Sequence, residues 1–520
     1  MIINRLSPLV ATSENLEKIL LNNRQIKNSD TFFNPPYPQN HLDLSLVIKL
    51  IKEYSSKNIL IYGDYDVDGI TSTALLWQAI YPLCPQVYPF IPDRQRDGYG
   101  FKAESFFNIQ STKHLQFDLL ITVDNGIVAQ SEFAKIKQIQ DTKILIIDHH
   151  LANGEVSADA LVHSVDHSAA GLAYFVAQEL SQNADIGLAA LGTVADCLPL
   201  LEINRQLVVH GLEKLRNNPS CGIKKLIDVS GLNQNNLTVS DLSFGLAPRI
   251  NAIGRLDNPL NALRLLCSST DQQANQYASL LNDFNQSRQD IQKESTESAL
   301  KTVDATQKII VVSGQYHPGV IGLIASKLVE KYYLPSVVIT SDGSVAKGSC
   351  RSIDGVNIIS QLRKFQELFI DLGGHPGAAG FSIDPKNIDN LKTALQNEFL
   401  EVLKDYQPQP SVTVEAETTI DLVSETIYQK INQFAPFGIG NQHPQFLFKN
   451  LVINNLSLVG QTKDHLKLVL SKISSIAFKK GDLIENLKIG QKVDVVAQID
   501  LNIWNNRSTP QLIVKEIISE

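Results

Sequence analysis

The stretch NILIYGDYDVDG, residues 58–69, runs from an apolar, β-rich pentapeptide directly into Asp64, Asp66 and Asp68, three carboxylates in five residues. Its first half predicts a buried strand, because an apolar run without alternation leaves no face for water. Two similar runs follow, Asp118–Val123 (DLLITV) and Lys143–Ile147 (KILII), and helical periodicity lies between at Thr71–Ile80 and Val128–Ile139. Apolar strands alternating with helices predict an α/β unit, a parallel sheet covered on both faces. The second run ends in Asp124-Asn125-Gly126 and the third in Asp148-His149-His150. In an open parallel sheet the carboxyl ends of the strands share one edge, and ligands bind in the crevice there. Three strand ends are therefore expected to deliver Asp and His side chains into one space. Carboxylates gathered there repel one another unless a cation neutralises them.

D-x-D-x-D-G also opens an EF-hand loop, but position twelve is Leu75 rather than Glu, and a strand precedes the loop where a helix belongs. A solvated acidic turn accounts for 64–68 taken singly, and a helix N-cap for Asp124. Adjacent histidines after a buried strand do not read as packing. The mixed carboxylate–imidazole set suits Mn²⁺, Mg²⁺ or Zn²⁺. In the apolar stretch Ile186–Leu201 the one charge is Asp196, expensive unless paired or ligating. The alternative there is a helix-end Asp exposed beside Pro199.

Beyond this unit, 520 residues predict three or four domains at about 150 residues each. The net charge of −8 excludes a histone-like basic binder but not a local cationic groove. Five scattered cysteines without a C-x-x-C pair fit neither a disulfide framework nor a zinc finger, and point to a reducing cytoplasm. No apolar stretch reaches the length of a membrane span, and the N-terminus does not read as a signal peptide. The segment to about Lys57 is polar and turn-rich, and helical patterns dominate from Ala169 to Arg216. Residues 271–305 read as one long polar helix, a connector. A second α/β unit follows, with strands at 308–313 and 336–340, helices near Val320–Lys331 and Val356–Phe369, and the glycine cluster GGHPGAAG at 373–380. From about Pro408 short alternating runs predict a five- or six-stranded β-barrel.

GDYDVDG, DNG, DHH and VADCLPL stand in the order of the four motifs of the DHH phosphoesterase superfamily. The flanking IPDRQRDGYG (91–100), APRINAIGR (247–255), HPGVIG (317–322), GSCRS (348–352), GGHPGAAG and PFGIGN (436–441) resemble the RecJ family within it, single-strand-specific 5′→3′ exonucleases. The resemblance covers nearly the whole chain. It implies two α/β lobes, a parallel-sheet DHH domain and a smaller DHHA1 domain, joined by a long helix, plus a C-terminal OB-fold barrel. The implied boundaries are 1–215 for the N-terminal extension and DHH domain, 216–305 for a helical connector, 306–405 for DHHA1 and 406–520 for the OB-fold. It also implies two divalent ions, Mn²⁺ or Mg²⁺, on Asp66, Asp68, Asp124, His149 and Asp196, with Asp124 bridging. Asp64 would complete or orient the first ion's shell, Asp148 would stand behind the ligands, and His150 would meet the scissile phosphate. Tyr62 stands where other superfamily members often have His.

The second lobe is expected to grip the substrate. GGHPGAAG lacks the G-K-[ST] of a P-loop, but N–H groups at Gly373 and Gly374, beside His375, suit a phosphate. Ser349 and Arg351 read as a small-residue loop, and Arg94, Arg249 and Arg255 as loop residues. With Tyr99 and Asn251 in the same motifs, they make the expected 5′-phosphate pocket and backbone track. In the barrel, Phe434, Phe437, Phe446 and Phe448 read mainly as core, Trp504 as an exposed base-stacking residue, and His443 and His465 as surface histidines.

The leading expectation is an exonuclease releasing 5′-mononucleotides from single-stranded DNA in repair and recombination. The strand would thread between the lobes, and the protein would act as a monomer, with a single-strand-binding protein and a helicase as possible partners. A phosphodiesterase of dinucleotides, or a single-strand-binding scaffold with a degenerate site, are the competing classes.

Overall fold

Continuous apolar runs become strands buried on both faces. In the computed structural model, which describes residues 2–93, 96–98, 100–404, 408–504 and 507–518, five strands form one sheet. They are β1 (Ile59–Tyr62), β2 (Val87–Phe90), β3 (Leu119–Val123), β4 (Lys143–Asp148) and β5 (Ala160–His163), in the order β2-β1-β3-β4-β5, every pair parallel. Leu60, Tyr62, Leu120, Ile144 and Ile146 share a core with Phe106 and Ile109 of α2 (Ala103–Lys113) and with Phe133 and Ile136 of α3 (Gln130–Ile139). Alternate residues of the strands face the opposite way. On that side α1 (Val67–Ile80) packs against α4 (Ala169–Leu180) and α5 (Ile186–Ala195), which leads into α6 (Glu202–Asn217). The edge strands β2 and β5 escape a search for apolar runs: one carries Pro89, the other is exposed at Leu161.

By packing, the chain divides into two units. One consists mainly of Pro248–Asn261 and Gln276–Pro410; the other holds the parallel sheet, Ala262–Asn275 and Ser411–Glu520. The first unit contains most of α7 (Ala247–Leu256), most of the long helix α8 (Asp271–Leu300), and a second sheet. That sheet runs β9-β10-β8-β7-β6, with β6 (Ile310–Gly314), β7 (Ser336–Ser341), β8 (Ala346–Arg351), β9 (Phe369–His375) and β10 (Ala378–Ile383); only β6 and β7 are parallel. Helix α9 (Ile321–Tyr332) packs on β7 and β8.

Three sequence expectations change here. The helix read over Val356–Phe369 is a short α-turn, Ile358–Leu362, continued by a 3₁₀ stretch in which Phe365 leaves helical geometry (φ −119°). The glycine cluster is a β-hairpin turning at Pro376-Gly377, so Gly373, Gly374 and His375 lie in an edge strand paired with β10, not in a loop of freed N–H groups. Ser349 and Arg351 likewise stand inside the central strand β8, and Arg249, Asn251 and Arg255 on α7. Small residues mimic loop composition, but strands packed closely against a helix also favour them.

The C-terminal strands β11 (Phe446–Val459), β12 (His465–Leu470), β13 (Ile473–Ala477), β14 (Lys492–Trp504) and β15 (Arg507–Ile518) close into a barrel. The ring runs β11-β12-β13-β15-β14 and back to β11, with only β13 and β15 parallel. The polar N-terminal segment belongs to this barrel. Leu16, Ile19, Leu20 and Phe32 enter its core, and Val10–Ala11 adds a parallel strand beside Ala416–Thr418. Arg24, almost wholly buried, bridges to Glu415 at 2.8 Å. No helix among the described residues is long and apolar enough to cross a membrane.

Candidate metal centre

The carboxyl edge of the parallel sheet collects what the strand ends carry. Asp64 follows β1 and accepts the Tyr65 N–H at 2.7 Å. Asp66 N-caps α1, accepting the Gly69 N–H at 3.0 Å. A side chain at Gly69 would press on the Asp64 backbone at 2.6 Å, so this turn requires glycine. Asp68, in the first turn of α1, accepts from the Ala169 and Ala170 N–H groups at 2.7 and 2.9 Å. These are the opening donors of α4, where a negative charge is favoured. The sequence around Ser168, which caps α4 through Gly171 N–H, carried that signal unread.

Asp124 is no helix N-cap: it sits in the left-handed region (φ 62°), and α3 starts only at Gln130. Asp124 Oδ1 lies 3.3 Å from His149 Nε2, Asp196 Oδ2 lies 3.6 Å from it and Asp68 Oδ2 3.9 Å. Donor atoms of Asp68, His149 and Asp196 fall within 4.8 Å of one another, as do those of Asp64, Asp66 and Asp124, and those of Asp124, His149 and His150. Asp124 thus joins the acidic cluster to the histidines. Asp196 caps the C-terminal end of α5, as the helix-end reading held, yet its carboxylate faces the cluster.

Electrostatics match a site built for cations. Burial, then Asp196 and Asp66, hold the Asp68 carboxyl well above the ordinary range; burial and the surrounding carboxylates do the same to Asp124. Burial and Asp66 push Asp196 up to about 7. Burial, followed by the neighbouring His150, lowers His149 to about 4, leaving a neutral imidazole fit to ligate. Asp148 accepts the His149 and His150 N–H groups at 2.8 and 3.1 Å, His150 Nδ1 at 2.8 Å and the Ile127 N–H at 2.9 Å. Burial works against ionisation of Asp148, but its hydrogen bonds, led by that from His150, outweigh it and lower its pKa. The same bond raises His150. The Tyr62 ring packs in the aromatic layer with Phe90 and Phe101.

Within the other unit, three of the expected substrate residues converge on the segment before and opening α9. Arg255 donates to Gly319 O at 3.0 Å, and a Cβ on Gly322 would lie 3.0 Å from Ser349 Oγ and 3.2 Å from an Arg351 guanidinium nitrogen. Ladder register aligns Ser349, Gly380 and Gly373 in one row and, two residues along, Arg351, Ala378 and His375 in another. Gly373 is exposed, with nothing within 4 Å of where a Cβ would stand. Arg249 turns instead to Asn282 on α8, at 3.0 Å. Asn251 is half-buried. The HPGVIG segment, which no residue-type rule singled out, proves the centre of the cluster. Arg94 and Tyr99 lie outside the described residues.

In the barrel, Phe434, Phe446 and Phe448 are buried, Phe437 half-buried and Trp504 74% exposed. His465 is partly exposed beside Phe478, whereas His443 is not a surface residue: it is half-buried against Phe437, and burial lowers its pKa.

Three stretches of the chain match family models. The DHH family N-terminal domain matches residues 58–199, the DHHA1 domain 306–401 and the RecJ OB domain 414–516. The chain is 33% identical to the single-stranded-DNA-specific exonuclease RecJ of Bacillus subtilis over 88% of its own length, and spans 61% of that relative. A crystal structure of Thermus thermophilus RecJ in complex with Mn²⁺ superposes with a TM-score of 0.84 at 25% identity, covering all of this chain and 80% of that one. A structure of exonuclease RecJ bound to manganese is 30% identical, with a TM-score of 0.61, over 70% of this chain and 96% of the other. With the four motifs, the three domain matches and this likeness in agreement, the chain belongs to the RecJ family of DHH proteins.

Proposed function

We propose that this chain is a metal-dependent exonuclease that removes 5′-mononucleotides from single-stranded DNA, in repair and recombination. The observation that carries the reading is the convergence of Asp64, Asp66, Asp68, Asp124, His149 and Asp196 within bonding reach of common points. So many clustered carboxylates, three of them shifted upward by burial and then by one another, fit a pair of Mn²⁺ or Mg²⁺ ions. Asp64, Asp66 and Asp124 would hold one ion; Asp68, His149 and Asp196, with Asp124 shared, the other. Two such ions supply water activation and neutralise charge on the attacking and leaving oxygens of a phosphoryl displacement.

The chain's own groups do the rest. Asp148 fixes the backbone of both histidines and, through its bond to Nδ1, raises the pKa of His150, which would offer an N–H donor to a phosphate oxygen. Arg351, Ser349 and Arg255, around the opening of α9, would bind the terminal 5′-phosphate, with Gly373 and Gly380 as a bare backbone shelf and His375 at its rim. Trp504 would stack a base of the incoming strand. Action as a monomer in the cytoplasm, with single-strand-binding protein and helicase partners, completes the reading.

The test is a cleavage time course with Mn²⁺ on a long single strand labelled at either end, with a dinucleotide alongside. Immediate release of the 5′ label as mononucleotide, while 3′-labelled strands shorten gradually, is the expected result. Cleavage of the dinucleotide alone would replace the exonuclease with a small-substrate phosphodiesterase, and binding without cleavage would leave a scaffold.

A further inference from the structure

Asp196 differs from its neighbours in the metal cluster because the C-terminal end of a helix carries it: Asp64, Asp124 and His149 follow strands, and Asp66 and Asp68 open a helix. The negative end of the α5 dipole offers a carboxylate no support. After Asp196 the chain turns sharply through Cys197, in the left-handed region (φ 61°), and reaches α6 within five residues. What fixes this turn comes from far away in sequence. Leu200 is buried and donates its N–H to Ile439 O at 2.7 Å. A side chain on Gly438 would stand 2.6 Å from Leu200 Cδ1, and one on Gly440 (φ 73°) 3.0 Å from Pro199 Cβ. The loop Pro436–Asn441 therefore lies flat against residues 199–201.

That loop is itself braced. Asn441, wholly buried, donates to the carbonyls of Phe434 and Pro436 at 2.7 and 2.9 Å and accepts from Arg24 Nε at 2.7 Å. Arg24 is held in turn by Glu415. On the other side Arg205 of α6, buried over the Phe32 ring, donates to Ala435 O at 2.7 Å and Phe32 O at 2.8 Å. Bonds of this kind lock a ligand's carrier in place, and metal sites depend on such outer contacts.

We propose that the Pro436–Asn441 loop of the C-terminal domain is the positioning element for Asp196, so that this domain completes the metal centre. The inference rests on the metal-dependent reading above. It is tested on the full-length chain by Mn²⁺ titration followed by electron paramagnetic resonance, without DNA, together with steady-state cleavage. Gly440→Ala is expected to weaken one of the two Mn²⁺ ions about tenfold or more. The turnover number should fall while KM for a single strand stays within about twofold, since the loop acts on the ion rather than on the strand. In an Asp196→Ala background the same change should have no further effect on Mn²⁺ affinity, because the two act on one ligand.

An unchanged Mn²⁺ isotherm in Gly440→Ala overturns the proposal, and so does an undiminished loss in the Asp196→Ala background. If Gly440→Ala does not fold, Asn441→Ala is read by the same criteria, with a thermal melt confirming the folded state. A parent protein that binds Mn²⁺ normally but cleaves nothing would sink the exonuclease reading while leaving the positioning role open to the same titration.

Discussion

The two α/β sheets of the chain hold their polar residues in different places. In the parallel sheet β1, β3 and β4 are apolar through their middles, and the polar groups gather at and beyond their carboxyl ends: Asp64 after β1, Asp124 after β3, Asp148 closing β4 and His149 and His150 after it. In the second sheet Ser349, Arg351, Gly373, Gly374 and His375 lie inside strands, on a surface that a hairpin extends at the edge. The first arrangement concentrates charge at a point because all parallel strands end on the same side. The second spreads a few donors over a flat face. A point suits compact cations; a face suits a phosphate flanked by chain.

The largest effect that would sharpen this contrast is at the point. Asp124→Ala is expected to reduce cleavage to background, as two-ion activation of water is lost, with single-strand affinity measured in EDTA unchanged. Persistent cleavage would falsify the assignment of Asp124.

Glycines separate the two regions next. Gly192 of α5 lets Asp68 approach: a Cβ there would stand 2.6 Å from Asp68 Oδ1 and collide with Ala170 Cβ. Gly192→Ala is thus expected to destabilise the fold by about 1–3 kcal/mol, as overpacking does, and to weaken metal binding. Gly373→Val, with open space around it, should leave the melting temperature nearly unchanged yet slow cleavage of 5′-phosphorylated strands. Equal melting temperatures for the two variants would break the comparison.

On the face itself, Arg351→Ala should raise KM about tenfold for a 5′-phosphorylated strand, the worth of a charge-assisted hydrogen bond, and change little for a 5′-hydroxyl strand. A uniform loss on both substrates would remove Arg351 from the phosphate site.

The smallest expected effect is electrostatic. With its folded pKa up at about 7, against an ordinary 3.8, Asp196 keeps its proton in the folded chain over a window where the unfolded chain has lost it. Stability from this group is therefore present at low pH and lost as pH rises through that window. In EDTA, Asp196→Asn should gain on the parent in thermal melts as pH rises to about 7, and no further above. Saturating Mg²⁺ should reverse the order, because an ion neutralises the carboxylate that the amide lacks.

The point was legible in the sequence and the face was not, for a physical reason. A strand buried on both faces announces itself as an unbroken apolar run, so the register of Asp64, Asp124 and His149 relative to the sheet edge could be read directly. Gly373, Gly374, Ser349 and Arg351 read as loops because the small residues that stand in β8, β9 and β10 also populate turns. Arg249 and Arg255 sit on a helix whose opening Pro248 and later Gly254 resemble loop composition. The support under Asp196 was invisible, since Leu200 and Ile439 are ordinary apolar residues whose pairing depends on tertiary structure alone.

The burial of Leu16, Ile19, Leu20 and Phe32 in the core of the C-terminal barrel has a consequence for synthesis. During translation these residues leave the ribosome well before their partners, such as Phe446, Val495 and Leu512. For most of the chain's synthesis the N-terminal apolar face has nothing to pack on. Contacts of such long sequence separation form late and slow the search for the native state. Until the barrel closes, that face is what a chaperone would hold, and truncation within the barrel would strand it in water as a nucleus for aggregation.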